Sequence, residues 1–206
     1  MLEIILALTK PRNRFYLINI KQVSIQYSMY HMNEFGQSHI VQLNNILQFF
    51  MFKRIMFEHL VFVYGTLKRS EPNHHLIQPG SAAGQSILVG TGQTKNKFPL
   101  VIATKYNIPH LLDAVGTGSF VTGEIYSVDQ SMLENLDVLE GIPKHYQRRT
   151  ESILLQESLL TEPSSELKPN RLLNCWIYVC GNFKEELLQL PFLTNFSNKT
   201  TGYIPR

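Results

Sequence analysis

The chain has 206 residues, 44% of them hydrophobic and 17% charged, which is enough apolar material for a substantial core and a length that suits one domain with an appendage. Its formal charge of +3 misleads, because residues 1–55 hold six Lys+Arg against two Asp+Glu and leave 13 basic and 14 acidic residues from Met56 onward. A near-neutral domain has no basic footprint for nucleic acid, and a pair such as Arg148 and Arg149 reads as a strand face rather than a phosphate site.

Residues 1–55 are rich in Ile, Asn, Tyr, Phe, Gln and Met, lack a helical or strand period, and are not expected to belong to the fold. The apolar stretch 2–8 is too short to span a bilayer, and Lys10, Arg12 and Arg14 follow it, the wrong order for a secretory signal. A transit peptide is disfavoured by sparse Ser and a poor amphipathic pattern. Because residues 56–60 lead directly into the first strand, Met56 is the expected native start, with 1–55 an upstream extension or disordered tail. N-terminal sequencing of endogenous protein tests this, and a stable form retaining Met1 would contradict it.

Residues 60–64 are too few, and too rich in β-branched and aromatic side chains, for a stable helix; they read as a buried strand. The strand stops at Tyr64-Gly65-Thr66-Leu67. Gly65 permits backbone angles and close approach that a Cβ would forbid, so the N–H groups of Gly65, Thr66 and Leu67 could converge on a carboxylate or a developing oxyanion. Without further support, the same pattern is a plain strand and turn.

Two short strands are expected within 90–103 around Phe98-Pro99, then a strand over 120–128. Residues 129–143 carry the punctuation of one helix, with an Asp129 cap, apolar periodicity, and Gly141 and Pro143 as terminators. At about 100° per residue, Met132, Leu133, Leu136 and Leu139 share one face and Glu140 lands on its edge, pointing inward. Glu134 and Asn135 lie opposite and Asp137 on the flank, so these read as solvated. An acid near a helix C-terminus works against the macrodipole. Glu140 is therefore a functional carboxylate, a glutamate at the rim of the stripe, or a buried partner of Arg148 or Arg149.

Further strands are expected over 146–156 and 172–180, joined by a variable hairpin loop over 157–170. A short helix is expected over 184–190, and the aperiodic tail 191–206 lies over the domain. Cys175 and Cys180, the only cysteines, are spaced for opposite faces of one strand, so an intrachain bridge is unfavourable and core packing in a reducing compartment is the reading. The seven histidines show no metal spacing: His74 and His75 are adjacent, and His110 and His145 are isolated. No Gly-x-Ser-x-Gly elbow or phosphate-binding Gly-rich loop occurs.

From residue 60 onward the chain resembles the gamma-glutamylamine cyclotransferases, within the gamma-glutamylcyclotransferase-like superfamily. The matching blocks are Val61-Phe62-Val63-Tyr64-Gly65-Thr66-Leu67-Lys68-Arg69 with Glu71-Pro72-Asn73-His74; Phe98-Pro99-Leu100-Val101-Ile102-Ala103; Asn107-Ile108-Pro109-His110-Leu111-Leu112; Gly116-Thr117-Gly118 with Val121-Thr122-Gly123-Glu124-Ile125-Tyr126; and Leu136-Asp137-Val138-Leu139-Glu140 with Pro143 and Tyr146-Gln147-Arg148. The ending Tyr203-Ile204-Pro205-Arg206 is also similar. Ser70 stands where the family commonly has Gly, and His110 where an aromatic Trp is expected, which puts the preferred leaving amine in question more than the ring closure.

The resemblance implies an α+β fold, a mixed barrel-like sheet with a few short helices, over 56–206. It implies an enzyme that cyclises the gamma-glutamyl group of amines such as gamma-glutamyl-ε-lysine to 5-oxoproline and releases the amine. It makes Glu140 the proton acceptor and Tyr64, Gly65, Thr66 and Leu67 the substrate-binding loop, with Ile108, Pro109 and Tyr146 lining the same cavity. Whether the amides hold the α-carboxylate or the oxyanion stays open. The substrate's own α-amino group is the nucleophile, so no cofactor or metal is called for. The expected partner is the small-molecule substrate alone, with no nucleic acid and no membrane, for a cytoplasmic monomer. Two alternatives are cyclotransfer on gamma-glutamyl amino acids and a non-catalytic binding module of the same fold.

Overall fold

The computed structural model describes residues 59–160 and 167–204; the expected extension 1–55 and start at Met56 lie outside them. Five strands close a barrel in the order β1 (His59–Val63), β5 (Ser119–Val128), β2 (Ser86–Phe98), β6 (Gln147–Ser158) and β7 (Leu172–Val179). Every pairing is antiparallel except β7 with β1, which closes the barrel in parallel through Trp176 opposite Val61. Two short strands, β3 (Leu100–Ala103) and β4 (Ile108–Leu111), form a separate hairpin. The sheet is mixed and barrel-like, as the fold expectation had it.

Alternation along the strands sorts side chains between two cores. Phe62 on β1 and Val121 and Ile125 on β5 point into the barrel with Val89, Ile153, Cys175 and Ile177. Val61, Val63, Tyr126 and Val128 point outward and are covered by helix α1 (Gln130–Glu140) through Met132, Leu133 and Leu136. Residues 61–63 of β1 are buried on both faces, which is why they read as a continuous apolar run rather than as an alternating one. Burying each of those helix side chains stabilises the packing by roughly 1.5–3 kcal/mol.

The helix begins and ends where its punctuation puts it. The Asp129 side chain accepts the Met132 N–H at 2.8 Å. At the other end Gly141, at φ 65°, occupies the left-handed region, and its N–H reaches the carbonyls of Asp137 and Val138. The apolar face is narrower than its periodicity implies: Met132, Leu133 and Leu136 are buried, whereas Leu139 is 48% exposed and Val138 80%.

Pro99 separates β2 from β3 as expected. Residues 108–111, for which the sequence suggests no strand, form β4, with Pro109 opposite Ile102; a two-stranded hairpin tolerates the missing N–H on its outer edge. Residues 184–190 hold a 3₁₀ helix, Glu185–Gln189, and the tail adds a four-residue helix α2 (Asn198–Thr201). That tail is anchored by fully buried Phe196, by the Leu193 bridge to Leu100 and by Thr122 N–H to the Thr194 carbonyl at 2.7 Å. Cys175 and Cys180 are free and lie in different clusters, so they do sit on opposite faces; burial pushes the Cys175 thiol up to about 12.

Candidate active site at one end of the barrel

Topology gathers the residues singled out from the sequence. Strands β1 and β7 run parallel and β6 runs antiparallel to β7, with Gln147 opposite Val179. The exit of β1 (Tyr64), the entry to β6 (Tyr146) and the exit of β7 (Cys180) therefore share one end of the barrel. Helix α1 starts at the other end, where Val128 pairs with His59. Its 11 residues span about 16 Å, close to the rise of about 16 Å of the five-residue β1 that it covers, and so return Glu140 to the end where Tyr64 lies.

Burial defines the chemistry of that end. Glu140 is half-buried, and that burial pushes its carboxyl up from 4.5 to about 7. No hydrogen bond or salt bridge engages that carboxyl among the described residues. The arginines that could have claimed it are taken: Arg148 pairs with Asp137 at 2.7 Å, and Arg149 pairs with Asp113 at 2.8 Å and Glu151 at 3.1 Å. Asp137 is thus no solvated flank residue. Its carboxylate is the acceptor for both Arg148 and the Tyr178 hydroxyl, the latter at 2.8 Å.

The Tyr64 phenol is buried and donates to the Tyr178 carbonyl at 2.7 Å. Burial first, then the neighbouring Tyr146 and Glu140, raise its pKa well above the ordinary tyrosine value. That electrostatic coupling ties the strand-exit loop to the helix end, which sequence separation alone could not. Gly65 meets β4: a Cβ there would lie 3.0 Å from Pro109 Cγ, so any larger residue would have to push Pro109 back by a few tenths of an ångström. The Tyr146 hydroxyl reaches the Pro109 carbonyl at 3.5 Å, and its ring stacks on His110 with centroids 5.9 Å apart.

The loop after Tyr64 is rigidly framed while its amides stay open. A turn closes with Lys68 N–H on the Gly65 carbonyl at 3.2 Å. Thr66 is fixed by Asn73, whose N–H reaches the Thr66 carbonyl at 3.0 Å and whose side-chain amide reaches the Thr66 hydroxyl at 3.1 Å. Glu124 on β5 accepts the Arg69 N–H and Nε–H, each at 2.8 Å, and the Tyr126 hydroxyl at 2.9 Å. Buried Lys68 donates to Asn195 and to the Phe196 carbonyl. None of the loop and turn bonds among the described residues uses the N–H of Gly65, Thr66 or Leu67. Three consecutive donors therefore stand in a preorganised turn, the arrangement that binds anions.

The structure brings Tyr64, Gly65, Pro109, Tyr146 and Glu140 into one neighbourhood. Leu67 contributes its backbone only, since its side chain packs in the core beneath α1. Ile108 opens β4 opposite Ala103, next to Pro109, and its carbonyl is 2.9 Å from His110 Nδ1. Tyr178 escaped sequence reading altogether: a tyrosine in an apolar strand carries no local mark of a hydroxyl that reaches a helix or a carbonyl that holds another tyrosine. A separate open groove of about 570 Å³, between residues 79–87, Asp129 and Ser131, shares none of these residues.

A family model described as gamma-glutamyl cyclotransferase, AIG2-like, matches residues 61–196. The chain is 44% identical over 147 residues to gamma-glutamylaminecyclotransferase C of Danio rerio, covering 71% of this chain and 90% of that protein. It is 40% identical over 141 residues to the gamma-glutamylaminecyclotransferase of Homo sapiens, covering 68% and 90%. Among solved structures, the crystal structure of an AIG2-like protein from Mus musculus superposes with a TM-score of 0.64 at 37% identity, covering 72% of this chain and 96% of that one.

Proposed function

The chain belongs to the AIG2-like gamma-glutamyl cyclotransferase family, and on that footing we propose that it cyclises gamma-glutamyl amines, such as gamma-glutamyl-ε-lysine, to 5-oxoproline with release of the free amine. The observation that carries this reading is a carboxyl, Glu140, raised by burial to about 7 and with no hydrogen-bond partner among the described residues, at the same barrel end as the amides of residues 65–67, which no loop or turn bond among the described residues uses.

Ionised Glu140 takes a proton from the substrate's α-ammonium, and the freed nitrogen attacks the γ-carbonyl carbon. A C–N bond forms, closing the five-membered ring, and the carbonyl oxygen gains the charge. Glu140 passes that proton to the departing nitrogen as the original amide C–N bond breaks, then takes the second proton from the ring nitrogen and relays it to the released amine, which leaves a neutral lactam, an ammonium and ionised Glu140. Atoms and protons balance without water, cofactor or covalent enzyme intermediate. A carboxyl near neutrality serves both halves of this cycle, since it exists in acid and base forms at cellular pH. The amides of Gly65, Thr66 and Leu67 hold the negative groups, α-carboxylate or oxyanion, while Tyr64, Pro109, Tyr146 and Ile108 enclose the folded substrate and fix the attack distance.

The reading extends to a reducing compartment, the cytoplasm, which two buried free cysteines suit; among the described residues no helix is long and apolar enough to cross a membrane. Incubation with gamma-glutamyl-ε-lysine, gamma-glutamyl-alanine and glutathione, with 5-oxoproline quantified from each, tests the function. The ε-lysine compound is expected to turn over fastest, and no 5-oxoproline from any of the three would refute the assignment.

A further inference from the structure

We propose that Asp137 and Tyr178 act as positioning residues that lock the last turn of α1, and with it Glu140, to the strand that holds Tyr64; this rests on Glu140 being the proton acceptor.

The observations converge on one helical turn. Glu140 follows Asp137 by three residues, so the two are neighbours on the helix surface. The Asp137 carboxylate accepts the Tyr178 hydroxyl at 2.8 Å on one oxygen and Arg148 Nη1 at 2.7 Å on the other. Its backbone carbonyl accepts the N–H groups of Gly141 and Ile142, closing the chain around Glu140. Arg148 is itself held, with its guanidinium 4.7 Å from the centre of the Trp176 ring. The helix end therefore attaches to both β6 and β7 through one side chain.

The apolar packing does only part of this. Met132, Leu133 and Leu136 are buried and Ile142, just past the helix, packs against the same cluster, but Val138 is 80% and Leu139 48% exposed, so the turn that carries Glu140 itself has thin apolar cover. The polar clamp adds the directional contacts that this packing lacks. Tyr178 is also bifunctional: its hydroxyl grips α1 and its carbonyl receives the Tyr64 hydroxyl at 2.7 Å. One buried residue thus sets the helix end and the start of the amide loop relative to each other. A displacement of about 1 Å in a proton acceptor can cost up to about a hundredfold in rate, whereas substrate held by the loop amides is bound much as before.

The test is a comparison of Tyr178→Phe, Asp137→Asn, Asp137→Ala and Glu140→Gln in the full chain, with kcat, KM and Tm measured on gamma-glutamyl-ε-lysine. Tyr178→Phe removes only the hydroxyl and keeps the carbonyl that holds Tyr64. It is expected to lower kcat by about tenfold with KM within about twofold. Asp137→Asn can still accept from Tyr178 and is expected to keep several-fold more kcat than Asp137→Ala. If Asp137→Ala does not fold, Tyr178→Phe and Asp137→Asn decide the matter. An unchanged kcat in Tyr178→Phe, whatever happens to Tm, would overturn the proposal while an inactive Glu140→Gln left the proton acceptor standing. Retained turnover in Glu140→Gln would remove both.

Discussion

Two glutamates, buried Glu124 on the outer wall of the barrel and half-buried Glu140 at the end of α1, receive opposite treatment. Glu124 is satisfied by three donors, the Arg69 N–H, the Arg69 Nε–H and the Tyr126 hydroxyl. Glu140 has none among the described residues, and its carboxyl is held near neutrality by burial. The arginines nearest in sequence to Glu140 are diverted to Asp137, Asp113 and Glu151. A partnered carboxylate is a structural strut, and a half-buried one without a partner is a group whose proton can move. The fold uses the first to frame the amide loop and leaves the second available to substrate.

The largest expected effect comes from erasing the second carboxylate. Glu140→Gln should lower kcat by about 10²–10⁴, measured as 5-oxoproline release, with no loss of stability. Activity near wild type would collapse the distinction between the two glutamates. Removing the strut should do the converse: Glu124→Ala strips Arg69 and Tyr126 of their acceptor and should cost about 2–4 kcal/mol of unfolding free energy, read by urea denaturation. Its activity should fall through KM, because the frame of the loop loosens while Glu140 is untouched.

The pH dependence sharpens the contrast. Because the acceptor must be ionised, kcat/KM should rise with pH up to about 7, the value burial gives Glu140, and a profile already flat at pH 5 would refute that assignment. Stability moves the other way. The folded carboxyl keeps its proton up to about 7, while the unfolded one loses it near 4.5, so between these values the folded state binds more protons and stability falls as pH rises. Glu140→Gln removes this penalty. Relative to wild type it should gain nothing below pH 4.5 and at most about 3 kcal/mol above pH 7, as read by paired denaturation curves. The smallest effect is expected at Gly65→Ala, whose new methyl would press on Pro109 at 3.0 Å. A cost of about 1 kcal/mol with a several-fold rise in KM would show that loop and β4 hairpin meet tightly there.

Much of this was legible in the residues. Asp129, the apolar spacing of Met132, Leu133 and Leu136, and Gly141 announce α1 and its ends, since capping and periodicity are local. Pro99 announces the break between β2 and β3 for the same reason. The β4 strand was less legible, because Ile108-Pro109 satisfies a turn as well as an edge strand, and only its pairing with residues 100–103 decides between them. The exposure of Leu139 and the pairing of Asp137 were hidden because helical periodicity fixes only which residues share a face, whereas how far the underlying sheet covers that face and which side chains of β6 and β7 reach it depend on strands distant in sequence.

By itself the sequence determined the elements, the inward edge on which Glu140 sits and the glycine that opens the turn after Tyr64, because each depends on neighbours within a few residues. Tertiary structure alone decided which carboxylate would be answered. The register of β6 on β7 sets Arg148 opposite Tyr178 and both within reach of Asp137, leaving Glu140 one helical turn further on. Competition between charges is settled by distance, and those distances exist only once the barrel has closed.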